Sequence, residues 1–280
     1  MGRSAVADRL TGMVALSCGD DRADTLMRLI CGRALALPPL PLPGEVPAEN
    51  TEAESVLVAF AEQFSVDVTG IGDNQRTRFL EAWGARAFRT VVALYIADFV
   101  PRVWAGCEAL GLGTPGRTAE VQFDRQTDPI DFVLNGFVPE VARQRELDAV
   151  TTEVVRLRGA EAHNCRLCQS LRERHALAAG GSEDIYGQIA DFERADGLSD
   201  AHKAALRYVD ALIWSPSRIG DDVAAGVRKH FSQKQALELT LDVMRNGANK
   251  ILVSLGSDAA RVTEGTELYE IDEAGQTVFA

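Results

Sequence analysis

The sequence is poor in cysteine, histidine and basic residues, and these shortages exclude several classes of protein. Of 280 residues, 5 are cysteine and 4 are histidine. An odd number of cysteines argues against a fully paired disulfide framework. Basic residues number 29 against 41 acidic ones, which gives a net charge of −12. Because such a surface repels phosphate groups, we expect neither nucleic acid nor a membrane as a partner.

Long apolar runs are missing as well. No stretch reaches the ~18 apolar residues that a membrane-spanning helix needs. The best candidate, FRTVVALYIADFVPRVWAG, contains Asp98, Pro101 and Arg102 and is typical of a buried helix. We therefore expect a cytoplasmic protein. In that compartment thiols remain reduced, and a close cysteine pair is more often catalytic or metal-binding than structural.

The pattern of apolar residues predicts an all-α fold that ends in a small C-terminal β-hairpin. The clearest helix covers 232–255, where one apolar stripe continues for about five turns. Ser199 is a plausible N-cap for a helix over 200–214. From Leu268 the apolar residues alternate with a period of two, which is typical of strands. The other predicted helices cover 21–36, 51–66, 74–84, 85–110, 138–160, 164–179 and 182–194.

The loops divide the chain into two regions. PPLPLPGEVP at 38–47 is rich in proline, and residues 117–137 lack a helical pattern. GLGTPG at 111–116 matches a dinucleotide-binding GxGxxG, but it follows a predicted helix instead of a strand. We expect it to end that helix, and we expect no bound nucleotide. An N-terminal helical region, 1–137, and a cysteine-bearing region, 138–280, are expected to pack as one unit.

Two cysteines three residues apart are the strongest chemical signal. They lie in EAHNCRLCQSLRERHA at 161–176. If Asn164 caps a helix here, Cys165 and Cys168 share one face and can form a disulfide. The helix N-terminus, with Arg166 and Arg172 nearby, would favour the thiolate form. This pattern predicts a reactive dithiol.

The pair has three other interpretations. It could be two ordinary core cysteines, as we expect for Cys31 and Cys107 in their apolar helices. A zinc site needs about four ligands, and His175 stands seven residues beyond Cys168, too far along a helix to share a metal with it. A thioredoxin fold would place the pair after a strand, and none is predicted there. We therefore expect no bound metal.

Glu153 precedes Cys165 by twelve residues, in TTEVVRLRGAEAHNCRLC. This E-x11-C-x-x-C arrangement resembles the alkylhydroperoxidase-D-like members of the carboxymuconolactone decarboxylase family. The stretches AEQFSVDV at 61–68, VVALYIADFVPR at 91–102 and HFSQKQALELTLDVMRNGANK at 230–250 also resemble the longer members. The resemblance implies an alkylhydroperoxidase-D-like helical bundle whose helices pack across the interfaces of a homo-oligomer.

The resemblance also implies a set of roles. Cys168 matches the thiol that attacks peroxide, Cys165 the resolving thiol, and Glu153 the carboxylate of a proton relay. Such a carboxylate would be partly buried with a raised pKa. The substrate would be a hydroperoxide or a disulfide. An external dithiol, lipoamide or a thioredoxin-like protein, would be the reductant, without a bound metal, flavin or nucleotide.

The chain differs from the family at two relay positions. Leu167 and Arg172 stand where the family's best-characterised enzymes have histidines. Arg172 could stabilise a thiolate from one helical turn away, but it cannot accept a proton near neutral pH. His163 could substitute from just upstream, or it could be a bystander histidine on the surface.

Two rival functions remain. One is a decarboxylase or lyase acting on a lactone-like carboxylic acid, in which arginines and His230 would bind the carboxylate. The other is a non-catalytic, redox-sensing oligomer that keeps the cysteine pair without turnover.

Overall fold

The computed structural model describes residues 3–46, 48–118 and 120–279, which fold mostly into helices. The predicted all-α fold with a small C-terminal hairpin is confirmed. The α-helices are α1 (Arg3–Ala15), α2 (Asp21–Leu35), α3 (Glu52–Val66), α4 (Asp73–Trp83), α5 (Ala87–Ala109), α6 (Val138–Ala142), α7 (Ala149–Ala162), α8 (Arg166–Gln169), α9 (Arg174–Ala178), α10 (Glu183–Tyr186), α11 (Asp200–Trp214), α12 (Asp221–His230), α13 (Gln233–Gly247) and α14 (Asn249–Ser254). The strands are β1 (Leu171–Glu173), β2 (Glu267–Ile271) and β3 (Thr277–Phe279).

The helices that begin at strong caps were predicted correctly. The side chain of Ser199 accepts the N–H of His202 at the start of α11. Ser232 and Gln235 form a capping box at the start of α13. The loop predicted over 38–47 is confirmed as far as residue 46, and its last residue, Pro47, lies outside the described residues.

Helix α5 runs through the centre of the protein. Among the described residues, one helical stretch, Asp73–Ala109, is long and apolar enough to cross a membrane. However, 94% of its most apolar 18-residue segment is buried inside the protein. It is therefore a core helix. One cluster of buried apolar side chains surrounds it and extends from Val6 to Val253, so both regions of the chain contribute to it.

A group of paired charges is buried in this core. Asp98 on α5 accepts hydrogen bonds from Lys250 at 2.7 Å and from Arg102 at 2.8 Å. The guanidinium of Arg102 also donates to the carbonyls of Ser65 and Leu212. Burial lowers the pKa of Lys250 to about 8, although Asp98 opposes this shift. The cluster ties α3, α5, α11 and α14 together, since α5 supplies Asp98 and Arg102 and each of the other helices supplies one group.

Four helix predictions were wrong. The helix predicted over 232–255 is interrupted at Ala248, where α13 ends and α14 follows. The helix predicted over 138–160 is broken into α6 and α7, because the Glu238 carboxylate accepts the N–H groups of Glu146 and Leu147 in the connection. The segment 182–194 contains α10 and a separate 3-10 turn, Phe192–Arg194. The helix predicted over 164–179 is replaced by α8, β1 and α9.

The loop predicted over 117–137 was also partly wrong. Its last residues, Asp131–Phe137, form a π-helical segment that leads directly into α6.

The small sheet has the order β1-β2-β3. Strands β2 and β3 form the predicted C-terminal hairpin, with Tyr269 opposite Phe279. Strand β1 pairs with β2 in parallel, with Leu171 opposite Glu267. A strand of three residues is too short to show a periodicity, so the sequence did not predict that the cysteine segment contributes β1 to the sheet. The sheet therefore joins the C-terminal end to the cysteine segment.

Candidate functional site

Helix α7 ends immediately before the cysteine pair. Asn164 adopts φ of 48°, a left-handed conformation that asparagine tolerates better than most residues. The predicted N-cap role of Asn164 was wrong: Cys165 is the N-cap of α8, and its sulfur accepts the N–H of Cys168 at 3.2 Å. Helix α8 has only four residues, so the thiolate stabilisation expected from a longer helix is not supplied.

The two cysteines are joined as a disulfide, with Cα atoms 5.3 Å apart. That separation lies within the ordinary range for disulfides. Cys165 is completely buried, whereas Cys168 is partly exposed. Cys168 is thus the sulfur that a molecule from solvent can reach. The other cysteines, Cys18, Cys31 and Cys107, are buried and lie outside the pair, as expected for Cys31 and Cys107.

Cys168 lines a mostly apolar pocket of about 320 Å³. Its volume falls at the lower end of the range for small-molecule sites. The apolar side chains that line it include Phe88, Leu134, Val138, Leu167, Ile251 and Leu252. The polar ones are Arg156, Arg245, Asn246, Asn249, Tyr269 and Thr277. The stripe predicted over 232–255 therefore packs into the core at its start and faces this pocket at its end.

Glu153 and Arg156 form a buried ion pair on α7. The guanidinium contacts both carboxylate oxygens, at 2.6 and 2.7 Å. It also donates to the carbonyl of Cys168 at 2.7 Å and to that of Leu171 at 2.8 Å. Arg156 therefore connects the carboxylate expected in the relay with the backbone of the cysteine segment.

The expected raised pKa of Glu153 was wrong. Burial alone would raise the pKa of this carboxyl, but the charge and hydrogen bonds of Arg156 outweigh burial and lower it. The N–H of Glu173 adds a further hydrogen bond at 3.1 Å. An ionised carboxylate with these partners is poorly suited to release a proton. In this structure Glu153 fixes Arg156.

The two arginines expected to support the thiolate are engaged elsewhere. Arg172 lies on β1, not one helical turn beyond Cys168, and it binds Glu183 at 2.7 and 2.9 Å. Arg166 binds the Asp258 carboxylate at 2.8 and 3.1 Å. Both expectations assumed a continuous helix, which the structure does not contain. The guanidinium held against the Cys168 backbone belongs to Arg156 instead.

His163 is buried, so the interpretation of this residue as a surface bystander was wrong. Its Nδ1 lies 2.8 Å from Oδ1 of Asn249, whose side chain lines the pocket. Burial, reinforced by the charge of Lys250, lowers the pKa of His163 to about 3. The imidazole is therefore neutral at pH 7 and holds the Asn249 amide in place.

The remaining histidines of interest lie away from the pocket. His175 is exposed and pairs with Glu173 at 2.8 Å. His230, expected to help bind a carboxylate in the lyase hypothesis, is outside the set of described residues that line the pocket. Within residues 3–46, 48–118 and 120–279, no three histidine, cysteine, aspartate or glutamate side chains are grouped so as to hold a metal ion.

Several pocket residues were missed by the sequence analysis. Arg156 stands three residues after Glu153, a spacing that is also common in exposed helical ion pairs. Asn246 and Asn249 flank Gly247 in NGAN, where the glycine also allows a close helix contact. A Cβ on Gly247 would clash with the Phe99 ring, and the two asparagines line the pocket.

Comparisons with known proteins give close relatives of unknown activity. No protein-family model matches the chain. It is 54% identical over 278 residues to "Uncharacterized protein Rv2313c" of Mycobacterium tuberculosis (strain ATCC 25618 / H37Rv), which covers 98% of each chain. "Uncharacterized protein MT2376" of strain CDC 1551 / Oshkosh matches equally well. The chain belongs to the same family as these mycobacterial proteins.

A more distant relative is a shorter protein and matches less than half of this chain. "Uncharacterized protein YdfG" of Bacillus subtilis (strain 168) is 26% identical over 120 residues, which make up 42% of this chain and 82% of YdfG. No solved structure matches the chain.

The Glu153–Arg156 pair generates the first prediction. Glu153→Gln or Arg156→Met alone should lower the free energy of unfolding by about 3–5 kcal/mol, because each leaves a buried charge without its partner. The double variant should lose about 1–3 kcal/mol less than the sum of the two single losses. Urea unfolding at pH 7 measures the free energy of unfolding of the wild type, the two single variants and the double variant.

The matched control is the pair of Arg207 and Glu193, which is bidentate but about half exposed. The same cycle there should give a coupling of about 1 kcal/mol or less. Equal coupling energies in the two cycles would contradict a special role for the buried pair.

His163 generates a prediction about acid stability. Its pKa of about 3 in the folded protein lies below its ordinary value of 6.5, so the unfolded chain binds a proton that the folded one cannot. Stability is therefore fully present above pH 6.5 and is lost as the pH falls towards 3. Between pH 7 and pH 4.5, His163→Gln should lose roughly 2–3 kcal/mol less unfolding free energy than the wild type does.

The control is Phe99→Leu. It removes packing beside the His163 ring but no proton-binding group, so it should keep the pH dependence of the wild type. A wild-type pH dependence that His163→Gln leaves unchanged would show that this imidazole does not titrate as described.

Proposed function

We propose that the protein is an alkylhydroperoxidase-D-like dithiol oxidoreductase of the carboxymuconolactone decarboxylase family, with Cys168 as its nucleophile. The observation that supports this proposal most directly is the asymmetry of the pair. Cys165 is buried, and Cys168 lies at bonding distance from it with access to an apolar pocket. A small apolar substrate in the pocket can thus contact the Cys168 sulfur, while the buried Cys165 sulfur lies next to Cys168 and can form the disulfide.

The proposed reaction reduces a hydroperoxide at the expense of the dithiol. The Cys168 thiolate attacks the terminal oxygen, the O–O bond breaks, and the alcohol leaves after taking up a proton. Cys168 is then a sulfenic acid. The Cys165 thiolate attacks the sulfur of Cys168, the S–O bond breaks, and the hydroxide takes up a proton and leaves as water. The products are an alcohol, water and the Cys165–Cys168 disulfide.

An external dithiol completes the cycle. One of its thiolates attacks the protein disulfide to form a mixed disulfide, and its second thiol displaces the protein thiolate. The protein returns to the dithiol, and the reductant becomes a cyclic or intramolecular disulfide. A lipoamide-type molecule or a thioredoxin-like protein would serve. The same step run on another disulfide is thiol–disulfide exchange, which needs no peroxide.

Proton transfer in this protein would differ from the relay that the resemblance implies. Glu153 is held as a carboxylate by Arg156, and His163 is neutral and bonded to Asn249. We therefore assign the protons of the reaction to water that enters through the pocket. Such a route is slower than a positioned acid, because general acid catalysis contributes about 10²–10⁴-fold.

The setting of the protein is part of the proposal. The family resemblance supports a homo-oligomer in the cytoplasm, where a dithiol reductant is available. The lyase hypothesis is less well supported, since His230 does not join the described residues around the pocket. The redox-sensor hypothesis uses the same pair and differs only in the absence of turnover.

A peroxidase assay tests the proposal. With cumene hydroperoxide and dihydrolipoamide, the wild type should turn over, and Cys168→Ser should reduce turnover to the background rate. After reduction and removal of the dithiol, Cys165→Ser should consume about one peroxide per chain and stop at the sulfenic acid, which a dimedone adduct would reveal by mass. Cys31→Ser, a buried cysteine away from the pair, should keep wild-type turnover.

The outcomes separate the three functions. A peroxidase activity that survives Cys168→Ser would contradict the proposed nucleophile. Reversible oxidation of the pair without turnover would leave the redox sensor. Activity on a lactone acid in the Cys165→Ser/Cys168→Ser double variant would establish the lyase instead.

A further inference from the structure

The apolar pocket beside Cys168 has a polar wall. Arg156, Arg245 and Tyr269 line this pocket and also a smaller cavity of about 50 Å³ on their other side. The three side chains therefore stand between the two cavities. The smaller cavity is lined in part by charged residues, Glu153 and Glu173 among them. The polar end of the apolar pocket is thus the end that faces these groups.

Arg156 and Arg245 differ in how many acceptors they already have. Arg156 makes two hydrogen bonds to Glu153 and one each to the carbonyls of Cys168 and Leu171. Arg245 makes one long ion pair, 3.4 Å from Nη1 to Asp242. Its side chain is only 11% exposed. Arg245 is therefore a largely buried guanidinium with donors left over at the pocket wall.

Asn246 adds a second donor at the same wall. Its Nδ2 is buried and finds no hydrogen-bond partner among the described residues. Buried polar groups in proteins are nearly always hydrogen-bonded, so an unpartnered amide on a residue that lines a pocket indicates a ligand acceptor to which the side chain can turn. Arg245 and Asn246 are adjacent in the sequence and line the same pocket. Together they offer a guanidinium and an amide to one oxygen-bearing group.

We propose that the pocket binds a chain of about ten non-hydrogen atoms that ends in a carboxylate. Its oxygens would accept from Arg245 and Asn246, and its apolar part would lie against Ile251 and Leu252. This inference rests on the proposed function in one respect: the reacting hydroperoxide or disulfide group of such a substrate would be carried on the chain, where it meets Cys168.

Size and charge support a carboxylate over other head groups. A volume of about 320 Å³ holds roughly ten atoms at the ~30 Å³ that a water-sized group occupies in a liquid. A guanidinium matches the two oxygens of a carboxylate by a bidentate contact. A cationic head would be repelled by Arg245, whose charge is less fully paired than that of Arg156. A neutral alcohol could not use the charge of Arg245.

Binding of unreactive probes tests this proposal without any redox chemistry. Decanoate, 1-decanol and decylamine have the same chain and differ in their head groups. Titration calorimetry of the oxidised wild type should show decanoate binding at least tenfold more tightly than decanol, and decylamine more weakly than decanol. Equal affinities for decanoate and decanol would overturn the proposal with no variant needed.

Two variants assign the head group to its site. Arg245→Gln should reduce the preference for decanoate over decanol to less than twofold while decanol still binds, which also shows that the pocket is intact. Leu252→Trp should weaken all three probes by filling the pocket. The matched control is Arg33→Gln, an exposed arginine paired with Glu62, which should leave every affinity unchanged. A tenfold preference that survives Arg245→Gln would overturn the assignment.

The two proposals can fail separately. Tight decanoate binding in a protein without peroxidase turnover would support the carboxylate site and contradict the dithiol peroxidase. Turnover of cumene hydroperoxide with no preference for decanoate would do the reverse.

Discussion

The ion pair of Glu153 and Arg156 is the contact on which the geometry of the cysteine segment depends. Buried on α7, it directs two guanidinium N–H groups to the carbonyls of Cys168 and Leu171. These two bonds hold the backbone of Cys168 and Leu171 against α7 at the place where the chain leaves α8 and pairs with β2 as β1. A pair of this kind contributes little net stability, but removing either partner is costly.

The C-terminal hairpin follows from that change of conformation. Once the chain runs as β1, the Glu267 N–H can bond the Ser170 carbonyl at 2.8 Å, and β2 pairs alongside it. Strand β2 brings Tyr269 over Arg156 and into the wall of the pocket. A segment about a hundred residues further along the chain thereby completes the site. The break between α13 and α14 brings Asn249 to His163.

Local signals and long-range contacts differed in how well the sequence revealed them. Helices α2, α3, α11 and α13 were predicted because their caps and apolar stripes lie within the helices themselves. The break between α6 and α7 depends on Glu238, and the end of α8 depends on Arg156 and on pairing with β2. None of these partners can be identified from periodicity. Predictions that assumed one helix over 164–179 therefore misplaced Arg172.

The same division applies to the site. The cysteine pair was predicted because its spacing is a local property, and Glu153 was placed near it by resemblance. The proton-relay role of Glu153 assumed an unpaired carboxyl, and the close partner Arg156 is what changes its pKa. The burial of His163 depends on packing against α5 and on Asn249, which lies in another part of the sequence. Arg245 and Tyr269 are distant in the sequence, and only folding places both in the lining of the pocket.

A redox titration of the cysteine pair tests the central claim most directly. The protein would be equilibrated with graded ratios of dihydrolipoamide to lipoamide, quenched in acid and alkylated. Mass spectrometry would then count the labels on Cys165 and Cys168. We expect Cys165 and Cys168 to gain their labels together, in one reversible two-electron transition with a slope of about 30 mV per tenfold change. Labelling of the two cysteines independently of each other, or a pair that stays reduced at every ratio, would contradict a redox-active dithiol.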